Sequence, residues 1–438
     1  MKWWLGLLLV TGCATTSGRA LTPREQAQLY LQRGDGKNAL PLLEDLAKTS
    51  PGELDLARML AEAHVKAGST EAFLARLQGS DTAVAHYQQG LVRFSRSSEA
   101  GDAALDHFRR AAELDGTQPE YRYRLGVALL ESEQFEAARE HLEAAVAAAK
   151  DRSAWYLPLA KARYRTGDNK GAIEGVRVAI TGDPTPNDVR QARALMEQLN
   201  DPFSHFPRSA RPQLEKAIQW LEVADVPQEA IVTLEELLQE HPDEPILHAL
   251  LGVSHARLDD AGRAVDELKR AIELAPDDGK NHLYLAQIYE SRQRGQAAEE
   301  HYRKALERNP VLEDAWLKLG DLSFERQDYA TARQHYAVAV HLLPDSPEVR
   351  GRLSLAHQAD GNWPAAIREV QVVLDADPDN LEFALRMGLL QTERFVAART
   401  EVERTTAAGE GRKWLTRVLE EQPENALASR ALQRLKVR

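Results

Sequence analysis

His282-Leu283-Tyr284-Leu285-Ala286-Gln287-Ile288-Tyr289, a polar break at 292–295 and a second stretch at 297–308 decide how this chain folds. In the first stretch apolar residues recur three and four apart, the spacing of one helix face. The break ends at Gly295, which suits a helix C-terminal turn. In the second stretch Ala298, Tyr302 and Ala305 share a face, and Glu299–Arg303 and Glu300–Lys304 are spaced for i,i+4 ion pairs. Asn309-Pro310 closes the segment. The spacing predicts two helices joined by a short turn.

Working outward, the segment repeats. Prolines fall at 242, 276, 310, 344 and 378, each 34 residues after the last. Ala264, Ala298, Ala332 and Ala366 keep the same step, as do Ala104, Ala138 and Ala172. A fixed period of this length marks stacked supersecondary units, none of which buries its apolar face alone. Numbering each unit from its first residue (245, 279, 313), position 8 is Gly252, Ala286 or Gly320, so that two helices can approach. Large residues at 4, 7, 11 and 24 fill the space between them, and small residues at 20 and 27 make room for the next unit. Close packing tolerates little change at such contacts.

This pattern resembles the tetratricopeptide repeat. In 313–346 the family's spaced positions hold Trp316, Leu319, Gly320, Ala332, Tyr336, Ala339 and Pro344. In 245–278 they hold His248, Leu251, Gly252, Ala264, Leu268, Ala271 and Pro276; in 119–152, Leu125, Gly126, Leu129, Ala138, Leu142 and Ala145. The 153–186 unit follows with Tyr156, Leu159, Ala160, Ala172, Val176, Ala179 and Pro184. The resemblance implies an all-α, right-handed superhelical solenoid of 34-residue helix–turn–helix repeats.

By phase, a first array covers 20–186 and a second covers 213–378. Between them, 187–212 reads as a degenerate repeat and a proline-rich joint, and the register slips there. Residues 379–438 read as a further degenerate repeat with closing helices at 413–421 and 424–436, and Gly409-Glu410-Gly411 as a loop before them.

The N-terminus is separate from this scheme. Lys2 and the apolar run 3–10 lead into Val10-Thr11-Gly12-Cys13, which holds the chain's single cysteine. Charge, apolar core and small residues have the layout of a secretory leader. The string resembles the bacterial lipobox, although a 12-residue leader is short. The resemblance implies a signal peptide at 1–12, lipidation of Cys13, and a tether over 13–19. Ala14 after the cysteine leans toward the outer membrane.

One cysteine cannot make an internal disulfide or a cysteine-based zinc site. A net charge of −12 argues against nucleic acid, which requires a dense basic face. Thirteen histidines invite a metal reading, but His107/His141 and His301/His335 repeat at the unit period. His64, His248, His255, His282 and His357 fall on core positions of first helices. Equivalent sites in stacked helices sit roughly 8–10 Å apart or more, too far for shared ligation. Neither a phosphate loop nor a nucleophile–base set is present. The reading assigns no enzyme activity, cofactor, metal or small-molecule substrate.

In the tetratricopeptide family the concave face is lined by positions 2, 5, 9, 12 and 13 of first helices. The resemblance places Tyr123, Leu130, Leu157, Lys161, Tyr164 and Arg165 there in the first array. In the second it places Leu283, Gln287, Glu290, Leu317, Asp321 and Phe324. Apolar residues rimmed by charge suit a protein or peptide segment. The expected function is a scaffold lipoprotein, anchored to the outer membrane and facing the periplasm, that binds protein subunits of a cell-envelope complex. Such complexes include pilus or secretion pores, motility, polysaccharide-export and outer-membrane assembly machines. A soluble cytoplasmic adaptor or regulator is the alternative.

Overall fold

The computed structural model describes residues 20–95, 101–201, 203 and 206–436. Cys13, the 1–12 leader and the 13–19 tether lie outside the described residues. Among the described residues every regular element is helical. The chain divides into two compact units between Gly167 and Asp168. That division falls in the turn of the 153–186 repeat, whereas the phase of the sequence marks a joint at 187–212.

The first unit contains α1 (Pro23–Gln32), α2 (Gly36–Thr49), α3 (Leu54–Ala67), α4 (Thr70–Leu77), α5 (Ala83–Phe94), α6 (Gly101–Leu114), α7 (Pro119–Glu131), α8 (Phe135–Ala148) and α9 (Tyr156–Arg165). The second opens with α10 (Asn169–Thr181), α11 (Pro186–Leu199), α12 (Arg211–Gln219) and α13 (Pro227–Glu240). The regular array follows: α14 (Pro245–Arg257), α15 (Ala261–Leu274), α16 (Gly279–Ser291), α17 (Gly295–Arg308), α18 (Glu313–Glu325), α19 (Tyr329–Leu342), α20 (Pro347–Ala359) and α21 (Trp363–Ala376). It closes with α22 (Leu381–Ala397), α23 (Glu401–Glu421) and α24 (Ala426–Arg434).

The local chemistry explains the period. Pro119, Pro245 and Pro347 open α7, α14 and α20, where a missing N–H costs nothing. At position 15 the chain turns through the left-handed region at Asp259, Gln293, Gln327 and Gly361. At position 16, Asp260, Asp328 and Asn362 cap the second helix, accepting from the N–H groups of Arg263, Thr331 and Ala365 at 3.1–3.3 Å. Position 8 must be small: a methyl on Gly252 would lie 2.6 Å from Leu268 Cγ. The residues at 20, 24 and 27, such as Ala264, Leu268 and Ala271, are fully buried.

Two expectations are corrected. The turn glycine of the 279–312 unit is not Gly295, which begins α17; Gln293 carries the left-handed φ of 57°. Gly409 and Gly411 lie inside α23, which starts at Glu401 rather than near 413. A Cβ on Gly411 would stand 2.8 Å from Leu435 Cδ1. The glycine therefore lets the chain's last turn approach, and the flanking helix tolerates its propensity cost.

Candidate functional site

In each regular unit, position 4 of the first helix meets position 23 of the second, and the pair differs from unit to unit. In 245–278, His248 Nδ1 lies 2.7 Å from Glu267 Oε2. In 279–312, His282 Nδ1 lies 3.0 Å from His301 Nδ1. In 313–346, Trp316 faces His335, ring centroids 5.7 Å apart. In 347–380, Arg350 Nη1 donates to Glu369 Oε2 at 2.8 Å. The position-4 side chain also reaches back across the seam. Trp316 Nε1 donates to the Pro310 carbonyl and Arg350 Nε to that of Pro344, both at 2.7 Å. His248 Nε2 lies 3.1 Å from Pro242 O. Where His282 is turned to His301, Arg308 Nε serves the Pro276 carbonyl instead, at 3.2 Å.

These histidines are packing residues. His64, His248, His255 and His282 are buried, and His64 stacks on Phe73 with centroids 4.1 Å apart. Close histidine pairs do occur, but within a unit rather than between equivalent positions of neighbours. His86 and His107 bring their Nδ1 atoms to 2.9 Å, with Asp81 on the far nitrogen of His86. Arg110, then His86, hold the Asp81 carboxyl down to about 2. Burial, then the neighbouring His301, pushes His282 down to about 4; burial also lowers His301. Among the described residues no group of three or more His, Cys, Asp or Glu is placed to hold a metal ion.

On the first helices of the second unit, a polar chain runs from repeat to repeat. Tyr302 donates its hydroxyl proton to Glu290 Oε2 at 2.6 Å, and Lys318 Nζ donates to Glu290 Oε1 at 2.8 Å. One unit on, Tyr336 donates to Asp321 Oδ1 at 2.7 Å, and Arg352 Nε lies 2.9 Å from the same oxygen. Burial, then the bonded carboxylate, raises both phenols well above the ordinary tyrosine value. The first unit has a related cluster with different connections: Tyr87 on α5 donates to Glu120 on α7 at 3.1 Å, and Arg124, one turn along α7, donates to the same oxygen at 2.9 Å. Buried tyrosines thus hold the acids in place, and in the second unit the next repeat's cation closes the junction.

The candidate groove residues divide in this frame. Glu290 and Asp321 are the acids of the polar chain. Leu317 and Phe324 are half-buried against the core of the 313–356 region, with Phe324 edge-on to Tyr329. Gln287 is half-buried on α16. Leu283 is a correction: at 7% exposure it belongs to the core and offers no surface to a partner. So is Leu157, at 1%. Both stand at position 5, as do Tyr123 and Leu317, which stay half-buried, so the neighbouring side chains rather than the register decide exposure there. Tyr123 is stacked on Trp155, centroids 4.5 Å apart and 9° from parallel, and Leu130 packs at the core edge. Lys161 and Tyr164 are half-buried. Arg165 is exposed, its guanidinium 3.8 Å from the Phe135 ring centroid beside a hollow of about 400 Å³.

Further residues share the groove positions of these helices. Leu355, at position 9 of α20, is 40% exposed. Asp314 on α18 makes no ion pair among the described residues. Burial, then Glu313, raises its carboxyl; Lys318 opposes the rise and Glu348 adds to it. The signal was available in the sequence, because positions 2 and 9 of these units fall at Asp314, Glu348 and Leu355.

Models of tetratricopeptide repeats match residues 24–81, 96–162 and 323–390. A model of the cytochrome c-type biogenesis protein H TPR domain matches 220–350. The chain belongs to the tetratricopeptide repeat family. It is similar to the tetratricopeptide repeat-containing protein trd-1 of Caenorhabditis elegans, 27% identical over 168 residues, or 37% of this chain and 21% of that one. It is also similar to the Hsp70-Hsp90 organizing protein 1 of Glycine max, 23% identical over 223 residues, or 48% and 39%. The chain thus spans well under half the length of these relatives. Among solved structures, PilF of Pseudomonas aeruginosa aligns at 13% identity with a TM-score of 0.40, covering 50% of this chain and 95% of that one. YrrB, described as a TPR protein with an unusual peptide-binding site, aligns at 18% with a TM-score of 0.39, covering 46% and 97%. Tetratricopeptide repeats are protein-interaction modules, and scaffolds built from them are generally non-catalytic.

Proposed function

We propose that the chain is a lipid-anchored scaffold of the bacterial envelope whose second unit holds a basic, partly apolar segment of a protein partner. The observation that carries this reading is the face of α18 and α20. Leu317, Phe324 and Leu355 supply an apolar floor, and Asp314, with its raised carboxyl, supplies negative charge at the rim beside Glu348, which Arg352 pairs at 2.6 Å. A partner cation would relieve the repulsion that Glu313 and Glu348 exert on Asp314, an interaction that steers and orders encounter. Phe324 and Leu355 would bury apolar area at roughly 25 cal/mol per Å².

The match of 220–350 to a TPR domain of cytochrome c-type biogenesis supports a periplasmic setting. Val10-Thr11-Gly12-Cys13 supports the anchor, and tethering would raise the local concentration of the groove at the membrane. Subunits of a pore, motility, export or assembly complex are the proposed partners.

The test is a peptide array of basic-apolar and acidic-apolar 12-residue segments. Basic segments should bind at least tenfold more tightly, and Asp314→Lys should erase the preference. Equal binding of both classes would refute the groove chemistry. Separately, Cys13→Ser should release the protein from the membrane fraction; unchanged sedimentation with outer membrane would refute the anchor and leave the groove reading intact.

A further inference from the structure

One face of α19 is buried where its counterparts are not. Ala332, Tyr336 and Ala339 form the stripe that packs into the core with α18 and α20. By helical spacing, Val338 and Leu342 lie on the flank beside that stripe rather than on it, yet they are only 6% and 4% exposed. The residues equivalent to Val338 are Arg270, Lys304 and Val372, and Val372 is 43% exposed. Besides α18 and α20, α19 packs against α10 and α11, the helices that open the second unit.

Polar ties fasten this contact. Arg177 on α10 donates through Nη2 to the Glu307 carbonyl at 3.1 Å. Arg193 on α11 donates to the Leu342 carbonyl at 3.3 Å and pairs with Glu313 at 3.2 Å. His341 Nδ1 lies 3.3 Å from the Ile180 carbonyl. All three carbonyls belong to last helical turns, where C=O groups lack intrahelical partners and the negative dipole end attracts cations. The tied residues are 120 to 161 positions apart in sequence.

A repeat array with nearest-neighbour contacts opens unit by unit. A contact that spans several units removes that freedom. We infer that α10–α11 is a clasp: by docking on that flank of α19 and on the ends of α17 and α19, it couples residues 169–199 to 307–343. The two segments then open together, and the intervening first helices keep a fixed curvature.

Hydrogen exchange on the full chain at increasing denaturant tests this. In the wild type, α10–α11 and α19 should share one opening transition. Val338→Lys is the informative variant, because the preceding unit carries Lys304 at that position and folds. It should raise exchange in α10–α11 at least tenfold while α14–α15 stay unchanged. Arg193→Glu should act in the same direction, and adding Glu313→Arg should recover part of the protection. Independent opening of α10–α11 in the wild type, or unchanged rates in Val338→Lys, would overturn the inference.

Discussion

Units 245–278 and 279–312 share a backbone plan and differ in how each position is filled. At position 8 one has Gly252 against Leu268, the other Ala286 in a core with Tyr302. At positions 4 and 23 one has His248 with Glu267, the other His282 with His301. At the turn, Asp259-Asp260 provides a side-chain cap, whereas Gln293-Arg294 does not. The difference teaches that helix spacing is fixed by the small residue and its large opposite. The pair at 4 and 23 can change charge character without altering the fold.

The hardest test is steric. Gly252→Leu should destabilise the chain by about 3 kcal/mol, because the added atoms meet Leu268 and neither helix can withdraw. Ala286→Gly should cost only about 1 kcal/mol, a propensity effect. Chemical denaturation compares the two, and equal losses would break the idea that position 8 sets the spacing.

Acid should separate the units next. The folded state holds His282 near about 4, below its unfolded value, so it favours the neutral ring. That stability is complete above about pH 6.5 and is lost as pH falls toward 4. In 245–278 the ring of His248 faces the Glu267 carboxylate rather than a second ring. Between pH 7 and 5, hydrogen-exchange protection, corrected for the slower intrinsic exchange in acid, should therefore fall in 279–312, with 245–278 as the internal comparison. His282→Gln should flatten the response, and an unchanged profile would remove the pair as its cause.

The smallest effects lie in the turns. Arg294→Asp should add about 1 kcal/mol by supplying the missing cap. Gln293→Gly should add a few tenths to about 1 kcal/mol by relieving the left-handed backbone. Asp260→Ala should cost about 1 kcal/mol. Denaturation midpoints read all three.

The repeat was legible because its determinants are local and recur. A proline, a small residue and a capping Asp each mark their position without knowledge of distant contacts. What escaped depends on neighbours that the spacing does not name. Gly411 reads as a loop residue until Leu435 is seen to pack on it. Leu157 and Leu283 sit at groove positions by register, but the surrounding helices bury them. Val338 and Leu342 could be noticed as apolar where Lys304 and Arg308 stand one unit earlier, yet nothing local identifies α10 and α11 as their cover. The polar chain through Glu290 and Asp321 was half legible: the acids were chosen, but not the tyrosines and cations that hold them.

The backward reach of position 4 bears on how such a chain can lengthen. Trp316 and Arg350 each supply an N–H to a carbonyl belonging to the previous unit. Duplicating a block from one proline to the next leaves every new border with both its acceptor and its donor. A tandem copying event would then create no orphaned carbonyl, so extra copies could arise in a single step and remain tolerable before any of them acquired a task.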